Sequence, residues 1–312
     1  VRLTLTKNPN YWKEGRAHFD TVEMLSITDP TARTNALLSG QVDVIDRVDV
    51  KTASLFDAAP NIKLQTIDGN QHFVFPMDTR IAPFNDNNVR NAIKHAVNRQ
   101  ELVDKVLSGY GSVGNDHPIG KGQRYYAADL PQTTYDPDKA KWYLQQAGME
   151  SLNLDLSAAD AAFGGAVDAA LLIANSAAPA GININVIREP NDGYWSNVWM
   201  VKPWTASYWG GRPTEDQMLS TAYATGAAWN DSFWSNETFD RILVEARAEL
   251  DEAKRRDMYI ELQTILNTDG GVVVPMFANY VIAMTTAVGH EEQLGSNMDM
   301  DSERSIERWW FV

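Results

Sequence analysis

The chain has 312 residues, of which 44% are hydrophobic and 22% are charged, and its formal net charge is −14. This charge argues against nucleic acid or an anionic membrane surface as a partner, because both are bound through clustered lysine and arginine. The chain contains no cysteine, which excludes disulfides, thiolate nucleophiles and cysteine-based zinc sites.

The amino-terminal residues 2–6 alternate apolar and polar side chains, which predicts a half-buried strand. A chain that starts within a strand, with no signal peptide before it, is expected to be a piece of a longer protein. No apolar run approaches the ~20 residues that span a bilayer. The length exceeds what one hydrophobic core usually supports, so two lobes are expected.

The next elements are a strand over 22–27, a helix, and a strand over 42–45. Asp29 and Pro30 predict the start of the helix as its cap and first residue, and Gly40 predicts its end. Three aspartates recur at positions 43, 46 and 49 and raise the alternative of a metal site. No histidine or further carboxylate completes such a site, so a solvated strand edge is favoured.

A strand over 72–75 and two short helices between 86 and 107 follow. Residues 109–114 then spell G-x-G-x-x-G. A dinucleotide-binding fingerprint follows a strand and opens a helix, whereas this one follows a helix and runs into a loop. The sequence therefore predicts a flexible glycine-rich loop rather than a nucleotide site.

The middle of the chain predicts a βαβ unit, with strands over 152–156 and 182–186 around a long helix over roughly 160–178. Asp136 caps a helix before this unit. Amphipathic helices over 239–250 and 259–266 and a strand from 272 to 275 come after it. The terminal Trp309, Trp310 and Phe311 are expected to pack into a core.

The predicted lobes are residues 1–70 (part of a large lobe), 71–274 (a second α/β lobe) and 275–312 (a return to the large lobe). Two crossings between lobes predict a hinge, and clefts between hinged lobes commonly bind small ligands. Six of the ten tryptophans fall between Trp195 and Trp234. Within that window Tyr208, Trp209, Gly210 and Arg212 combine aromatic walls, close backbone approach and a fork of donors for an anion. The alternative is a tryptophan-rich core corner with an ordinary turn.

Several ordered motifs resemble the peptide/opine/nickel class of ABC-transporter solute-binding proteins. The motifs are residues 8–12 (Asn-Pro-Asn-Tyr-Trp), 36–43 (Ala-Leu-Leu-Ser-Gly-Gln-Val-Asp), 83–92 with 98–99, 135–140, and the paired helices between 238 and 267. The resemblance implies an α/β, periplasmic-binding-protein-like fold of class II type, with two lobes and a hinge. It also implies a carboxy-terminal portion holding one complete lobe and part of the other.

Peptide-binding members of this class tend to carry Trp-x-Gly-Asp, whose aspartate pairs with the free amino group of the peptide. Trp209 starts the similar run here, and Arg212 stands in the position of that aspartate. An arginine fork suits a carboxylate, sulfate or phosphate instead of an ammonium. The resemblance therefore implies an anionic, peptide-like or opine-like solute, with ordinary peptides or sugars as the alternative.

The resemblance further implies a monomeric, non-catalytic protein of the periplasm or cell surface that hands a small molecule to ABC permease subunits. No cofactor is expected, and five histidines scattered over the chain give no support for a metal site. The predicted ligand contacts are Tyr208, Trp209, Gly210, Arg212, Trp229, Trp234, Asn115, Asp116, His117 and Phe73, with His72 beside them. The rival class is a hydrolase using Glu215 and Asp216. Adjacent carboxylates rarely point at one atom, and no G-x-S-x-G, H-E-x-x-H or phosphate-binding loop is present.

Overall fold

The computed structural model describes residues 1–312, with the side chain of Asp57 left aside. The chain divides into two compact units. Unit 1 comprises Val1–Gly69 and Asn279–Val312, and unit 2 comprises Asn70–Ala278. The assignment of these units to the lobes of a larger protein stays a prediction. Within the described residues, no helix combines the length and the apolar character needed to cross a membrane.

The strands are numbered in chain order. They are β1 (Arg2–Thr6), β2 (Thr21–Leu25), β3 (Val44–Ile45), β4 (Ile62–Pro76), β5 (Gly111–Val113), β6 (Leu152–Ala158), β7 (Ile182–Arg188), β8 (Ser207–Trp209), β9 (Val272–Thr285), β10 (Val288–Gly289) and β11 (Trp310–Phe311). The chain passes from unit 1 to unit 2 within β4 and returns within β9.

The α-helices are likewise numbered in chain order. They are α1 (Pro30–Leu38), α2 (Asn87–Ala96), α3 (Arg99–Val106), α4 (Pro137–Gln146), α5 (Ala166–Ala177), α6 (Tyr194–Asn197), α7 (Glu215–Ala222), α8 (Glu237–Ala248), α9 (Glu252–Asp269), α10 (Asp299–Glu303) and α11 (Ser305–Arg308). Asp29 and Asp136 cap α1 and α4 through their side chains, as the sequence predicts.

Unit 1 pairs β1 with β2, β3 with β9, and β10 with β11, all antiparallel. Its core combines alternate residues of β9 with Trp309, which is 2% exposed. The expectation that all three terminal aromatic residues are buried is wrong for Phe311, which is 56% exposed. Phe311 lies in the short terminal strand β11, and its ring makes an edge contact with Phe19 at 5.2 Å between centroids.

Unit 2 contains the predicted βαβ unit, because β6 and β7 pair in parallel and α5 packs on both. The helix begins six residues later than expected, at Ala166. Gly165 precedes it with a φ of 85°, a left-handed conformation that keeps residues 160–165 out of the helix.

The expectation of a flexible glycine-rich loop is also wrong. Gly111 opens β5, which pairs antiparallel with β9. A Cβ on Gly111 would lie 2.5 Å from the carbonyl oxygen of Phe277, and one on Gly114 would lie 2.2 Å from that of Val274. Glycine is therefore required at both positions because the backbone packs closely against β9. This packing accounts for the glycines without a nucleotide site.

Buried cations of α2 and α3 stabilise the neighbouring segments of unit 2. Lys94, 1% exposed, donates to the carbonyls of Leu266 and Asn267 at the end of α9. Arg99 donates to Asp116 at 2.6 Å, and both side chains are buried. Cations at a helix carboxyl end satisfy carbonyls that have no partner within the helix.

The largest sheet has the strand order β3-β9-β4-β8, with β5 also paired to β9. Strand β8 is its last strand in unit 2 and pairs antiparallel with β4, opposing His72 to Trp209 and Phe73 to Tyr208. The segment that follows β8 turns into α7, which Thr214 caps. Pairing with β4 therefore positions Tyr208 and Trp209, from which residues 210–214 lead to α7.

Candidate functional site

Five aromatic residues of unit 2 form two groups of ring contacts, which we together call the aromatic wall. Their ring contacts run from Trp199 to Trp195 (5.7 Å between centroids) and from Trp195 to Tyr208 (5.8 Å). Trp209 follows Tyr208 in β8 and points to the opposite face of the sheet, where its ring lies 6.0 Å from that of Trp229. The wall is accessible, since Trp195, Tyr208 and Trp229 are 42%, 41% and 51% exposed.

Arg212 lies beside this wall and has no ion-pair partner within the part of the chain that the structure describes. Its Nη1 donates to the carbonyls of Gly210 and Gly211, both at 3.1 Å. Its Cζ lies 5.7 Å from the ring centroid of Trp209, within the range of a cation–π contact. The guanidinium is thus held by backbone and ring, with a half-buried side chain and donors left over for an anion.

Gly210 lies at the half-buried turn between the wall and the arginine. A Cβ built on it would meet one neighbour, the Nη1 atom of Arg212 at 3.9 Å. Packing within unit 2 therefore does not require glycine here. The space beside its backbone is open to a guest.

His72 lies on β4 directly opposite Trp209 and is fully buried. Its Nδ1 lies 3.1 Å from the carbonyl oxygen of Asn70, and its Nε2 has no hydrogen-bond partner. Burial lowers the pKa of His72 to about 4, and the charge of Arg212 acts in the same direction. The imidazole is therefore neutral at pH 7.

The buried segment 115–117 does not reach this surface as a group. Asn115 bonds to the backbone of Pro131 and Thr133, and Asp116 bonds to Arg99 and to the Val274 amide. Their polar atoms are engaged in holding the loop.

His117 differs from Asn115 and Asp116 because its side chain makes no hydrogen bond. Neither ring nitrogen has a hydrogen-bond partner, and burial lowers its pKa to about 4. His72 contributes to that lowered pKa, which places the two imidazoles in one neighbourhood. Both imidazoles are therefore neutral at pH 7.

Two predicted contacts lie in the core instead. Phe73 is 7% exposed and stacks on Phe163 with centroids 4.0 Å apart and an interplanar angle of 12°. Trp234 is 3% exposed and donates its indole N–H to Asp269 at 3.0 Å. Aromatic composition alone does not distinguish such core residues from the exposed Trp229.

The carboxylates of the rival hydrolase hypothesis point to different partners. Glu215 is buried and accepts the backbone N–H of Tyr125 at 2.8 Å. Asp216 accepts from the Nε of Arg247 at 3.0 Å. Among the described residues no group of three or more histidine, aspartate or glutamate side chains is arranged to hold a metal ion.

Asp231 is a residue of this site that sequence reasoning missed. It is 5% exposed, its Oδ2 accepts the indole N–H of Trp199 at 3.1 Å, and the indole of Trp209 is near enough to interact with the same carboxyl group. Burial raises the pKa of Asp231 to about 7. The available signal was an acidic residue placed between Trp229 and Trp234 in an otherwise aromatic window.

Comparison with known proteins finds that the chain is similar to solute-binding proteins. The family model described as bacterial extracellular solute-binding proteins, family 5 Middle, matches residues 1–231. Di/tripeptide-binding protein 1 of Pseudomonas aeruginosa (strain UCBPP-PA14) is 24% identical over 278 residues, covering 85% of this chain and 51% of that protein. The chain thus spans about half the length of this relative.

Solved structures share the fold. The periplasmic binding protein DppA of Helicobacter pylori, in complex with the peptide STSA, has a TM-score of 0.82 at 21% identity, covering 99% of this chain and 60% of that one. The binding protein AgaA from A. tumefacien R10, in complex with agropinic acid, has a TM-score of 0.82 at 23% identity, covering 100% and 64%. The predicted α/β fold of the periplasmic binding proteins is confirmed.

Proposed function

Because the chain belongs to the family 5 bacterial extracellular solute-binding proteins, we propose that it captures a carboxylate-bearing or otherwise anionic solute for an ABC importer. The family is one of binding proteins, so the chain binds its solute without converting it. Capture takes place in the periplasm or at the cell surface, and the solute then passes to permease subunits in the membrane.

The observation that supports an anionic solute is the position of the Arg212 guanidinium. It lacks a carboxylate partner among the described residues, while two backbone carbonyls and the ring of Trp209 fix its position. A pre-positioned fork next to an exposed aromatic surface suits a carboxylate with an attached apolar or planar body. An ammonium in the same place would be repelled by ~4 kcal/mol at 4 Å and an effective dielectric near 20.

Among the described residues no carboxylate forms an ion pair with Arg212, and the buried polar residues His72, His117 and Tyr223 of unit 2 are uncharged at pH 7. His72 and His117 are neutral at pH 7, since burial lowers the pKa of each to about 4. Tyr223 is protonated, because burial and the nearby Asp231 and Asp116 raise its pKa well above its usual value. A guanidinium that has no ion-paired carboxylate favours an anion over a cation.

The names of the relatives support both the proposal and its rival. The structure of AgaA holds an acid, and the related protein of P. aeruginosa is a di/tripeptide-binding protein. Ordinary peptides therefore remain the second candidate, and they differ from the first in requiring a partner for a free amino group.

Three derivatives of one dipeptide separate the two candidates at constant size. Dialanine is a zwitterion, N-acetyl-dialanine an anion and dialanine amide a cation at pH 7. If the solute is an anion, calorimetric titration of the protein should give the tightest binding for N-acetyl-dialanine and the weakest for dialanine amide. Tightest binding of free dialanine would support an ordinary peptide binder, and absence of binding by the acetylated form would overturn the anion proposal.

A further inference from the structure

Asp231 lies between the two groups of rings in the aromatic wall. Trp199 contacts Trp195 in the first group, and Trp209 packs on Trp229 in the second. The indole N–H of Trp199 donates to the Asp231 carboxyl group at 3.1 Å, and the indole of Trp209 is near enough to interact with the same carboxyl group. One side chain therefore joins two rings that are ten residues apart in the chain and belong to different segments.

Asp231 is buried, with 5% of its surface exposed, and its carboxyl group has no cationic partner among the described side chains. Burial of an acid without a counter-ion opposes its ionisation and costs free energy. A purely structural position of this kind is usually occupied by an apolar or amide side chain. The acid here supplies something that those side chains lack.

The distinguishing property is two oxygens that both accept hydrogen bonds. A carboxylate accepts two indole N–H groups at once, whereas an asparagine amide presents an NH₂ donor to one of them and leucine offers no acceptor. A buried indole N–H that has lost its acceptor is destabilised and favours another ring orientation. The orientation of Trp199 and Trp209 thus depends on this carboxyl group.

We propose that Asp231 is a positioning residue for solute binding, which fixes Trp199 and Trp209 and thereby the surface that the aromatic wall presents beside Arg212. Its importance for solute affinity rests on the proposed function. Its role in holding the two indoles does not depend on which solute is bound. The two parts are tested by separate measurements.

The first measurement follows the indole N–H resonances by heteronuclear NMR as the pH is varied. Burial raises the pKa of Asp231 to about 7. Its neighbour Tyr223 stays protonated in this range, because burial and Asp231 raise the pKa of Tyr223, and the buried His72 and His117 have pKa values of about 4. Of the remaining charged neighbours, Asp116 is ion-paired with Arg99.

We expect two indole resonances, assigned by their absence in Trp199→Phe and Trp209→Phe, to shift with a midpoint near pH 7. In Asp231→Asn both shifts are lost, while the resonance of Trp234, bonded to Asp269, behaves as in the wild type. Indole resonances that do not titrate near pH 7, or that titrate unchanged in Asp231→Asn, would overturn the positioning role. The wild-type titration needs no variant to fold.

The second measurement is calorimetric binding of N-acetyl-dialanine. We expect Asp231→Leu to weaken binding by roughly tenfold or more and Asp231→Asn by less, because one acceptor remains. Trp234→Phe removes an indole N–H in the core and serves as a control whose affinity is unchanged. Unaltered affinity in a folded Asp231→Leu variant would overturn the effect on the solute surface. Failure of the wild type to bind the probe would count against the proposed function and leave the NMR result standing.

Discussion

The guanidinium of Arg212 lies over the indole of Trp209, with 5.7 Å between Cζ and the ring centroid. The same arginine uses one nitrogen to hold two carbonyls of its own turn. An arginine restrained in this way loses less side-chain entropy when it binds an anion than a mobile one does. The relationship therefore links the aromatic wall to the predicted charge of the solute.

Replacement of Arg212 by alanine should weaken binding of N-acetyl-dialanine about 10- to 150-fold, the effect of losing hydrogen bonds to a charged group. Arg212→Lys keeps the charge but loses the fork, so the loss should be several times smaller. Calorimetric titration at constant salt measures both. Equal affinity of the wild type and Arg212→Ala would contradict the role of Arg212, and an unchanged unfolding midpoint excludes a general loss of structure.

The two tryptophans at either end of residues 229–234 should behave differently. Trp229 is 51% exposed, so Trp229→Ala should reduce probe affinity severalfold and change the free energy of unfolding by less than about 1 kcal/mol. Trp234 is 3% exposed, so Trp234→Ala should destabilise the protein by about 3–5 kcal/mol through the cavity it leaves. Urea unfolding and calorimetry check the pair together, and the reverse pattern would place the solute surface elsewhere.

The Arg99–Asp116 ion pair should matter for stability rather than for solute binding. Both side chains are buried, so Asp116→Ala leaves an uncompensated guanidinium and should cost about 3–5 kcal/mol in the free energy of unfolding. Glu245→Ala, which breaks an exposed ion pair with Arg241, serves as the matched control and should cost less than about 1 kcal/mol. A small effect of Asp116→Ala would contradict the structural role assigned to the segment 115–117.

The buried His117 should make the protein less stable as the pH falls. Its pKa is about 4 in the folded chain and about 6.5 in the unfolded chain, so between these values the unfolded state binds more protons. The free energy of unfolding should therefore fall as the pH is lowered from 6.5 to 4, by up to about 3 kcal/mol for this residue.

Urea unfolding at pH 4.5, 5.5 and 7 checks this dependence against His117→Gln, in which the contribution is absent. A difference between wild type and His117→Gln that is the same at all three pH values would contradict the prediction. Asp231 acts in the opposite direction, because its pKa is raised to about 7 and its stabilising proton is lost as the pH rises.

Local features of the sequence were sufficient for much of the fold. Asp29 and Asp136 mark helix starts because their side chains bond to amides within the next turn. The alternation in β6 and β7 is visible because each strand buries one face. By contrast, the pairing of Gly111 with β9 depends on a strand more than 160 residues later, and no local pattern reveals it.

The candidate site was only partly predictable for the same reason. Tyr208, Trp209 and Arg212 are neighbours in the sequence, so their combination could be read directly. Asp231 reaches Trp199 and Trp209 through tertiary packing. Burial of Phe73 and Trp234 likewise follows from the cores of unit 2, which hydrophobic periodicity over a few residues does not specify.

The most direct test of the central claim is reversal of the charge at position 212. Calorimetric affinities of the wild type and of Arg212→Glu are compared for N-acetyl-dialanine and dialanine amide at pH 7. The anionic-solute account predicts that the wild type prefers the acetylated anion and that Arg212→Glu prefers the cationic amide. A preference for the anion that survives in the folded Arg212→Glu variant, or a wild type that prefers the amide, would contradict it.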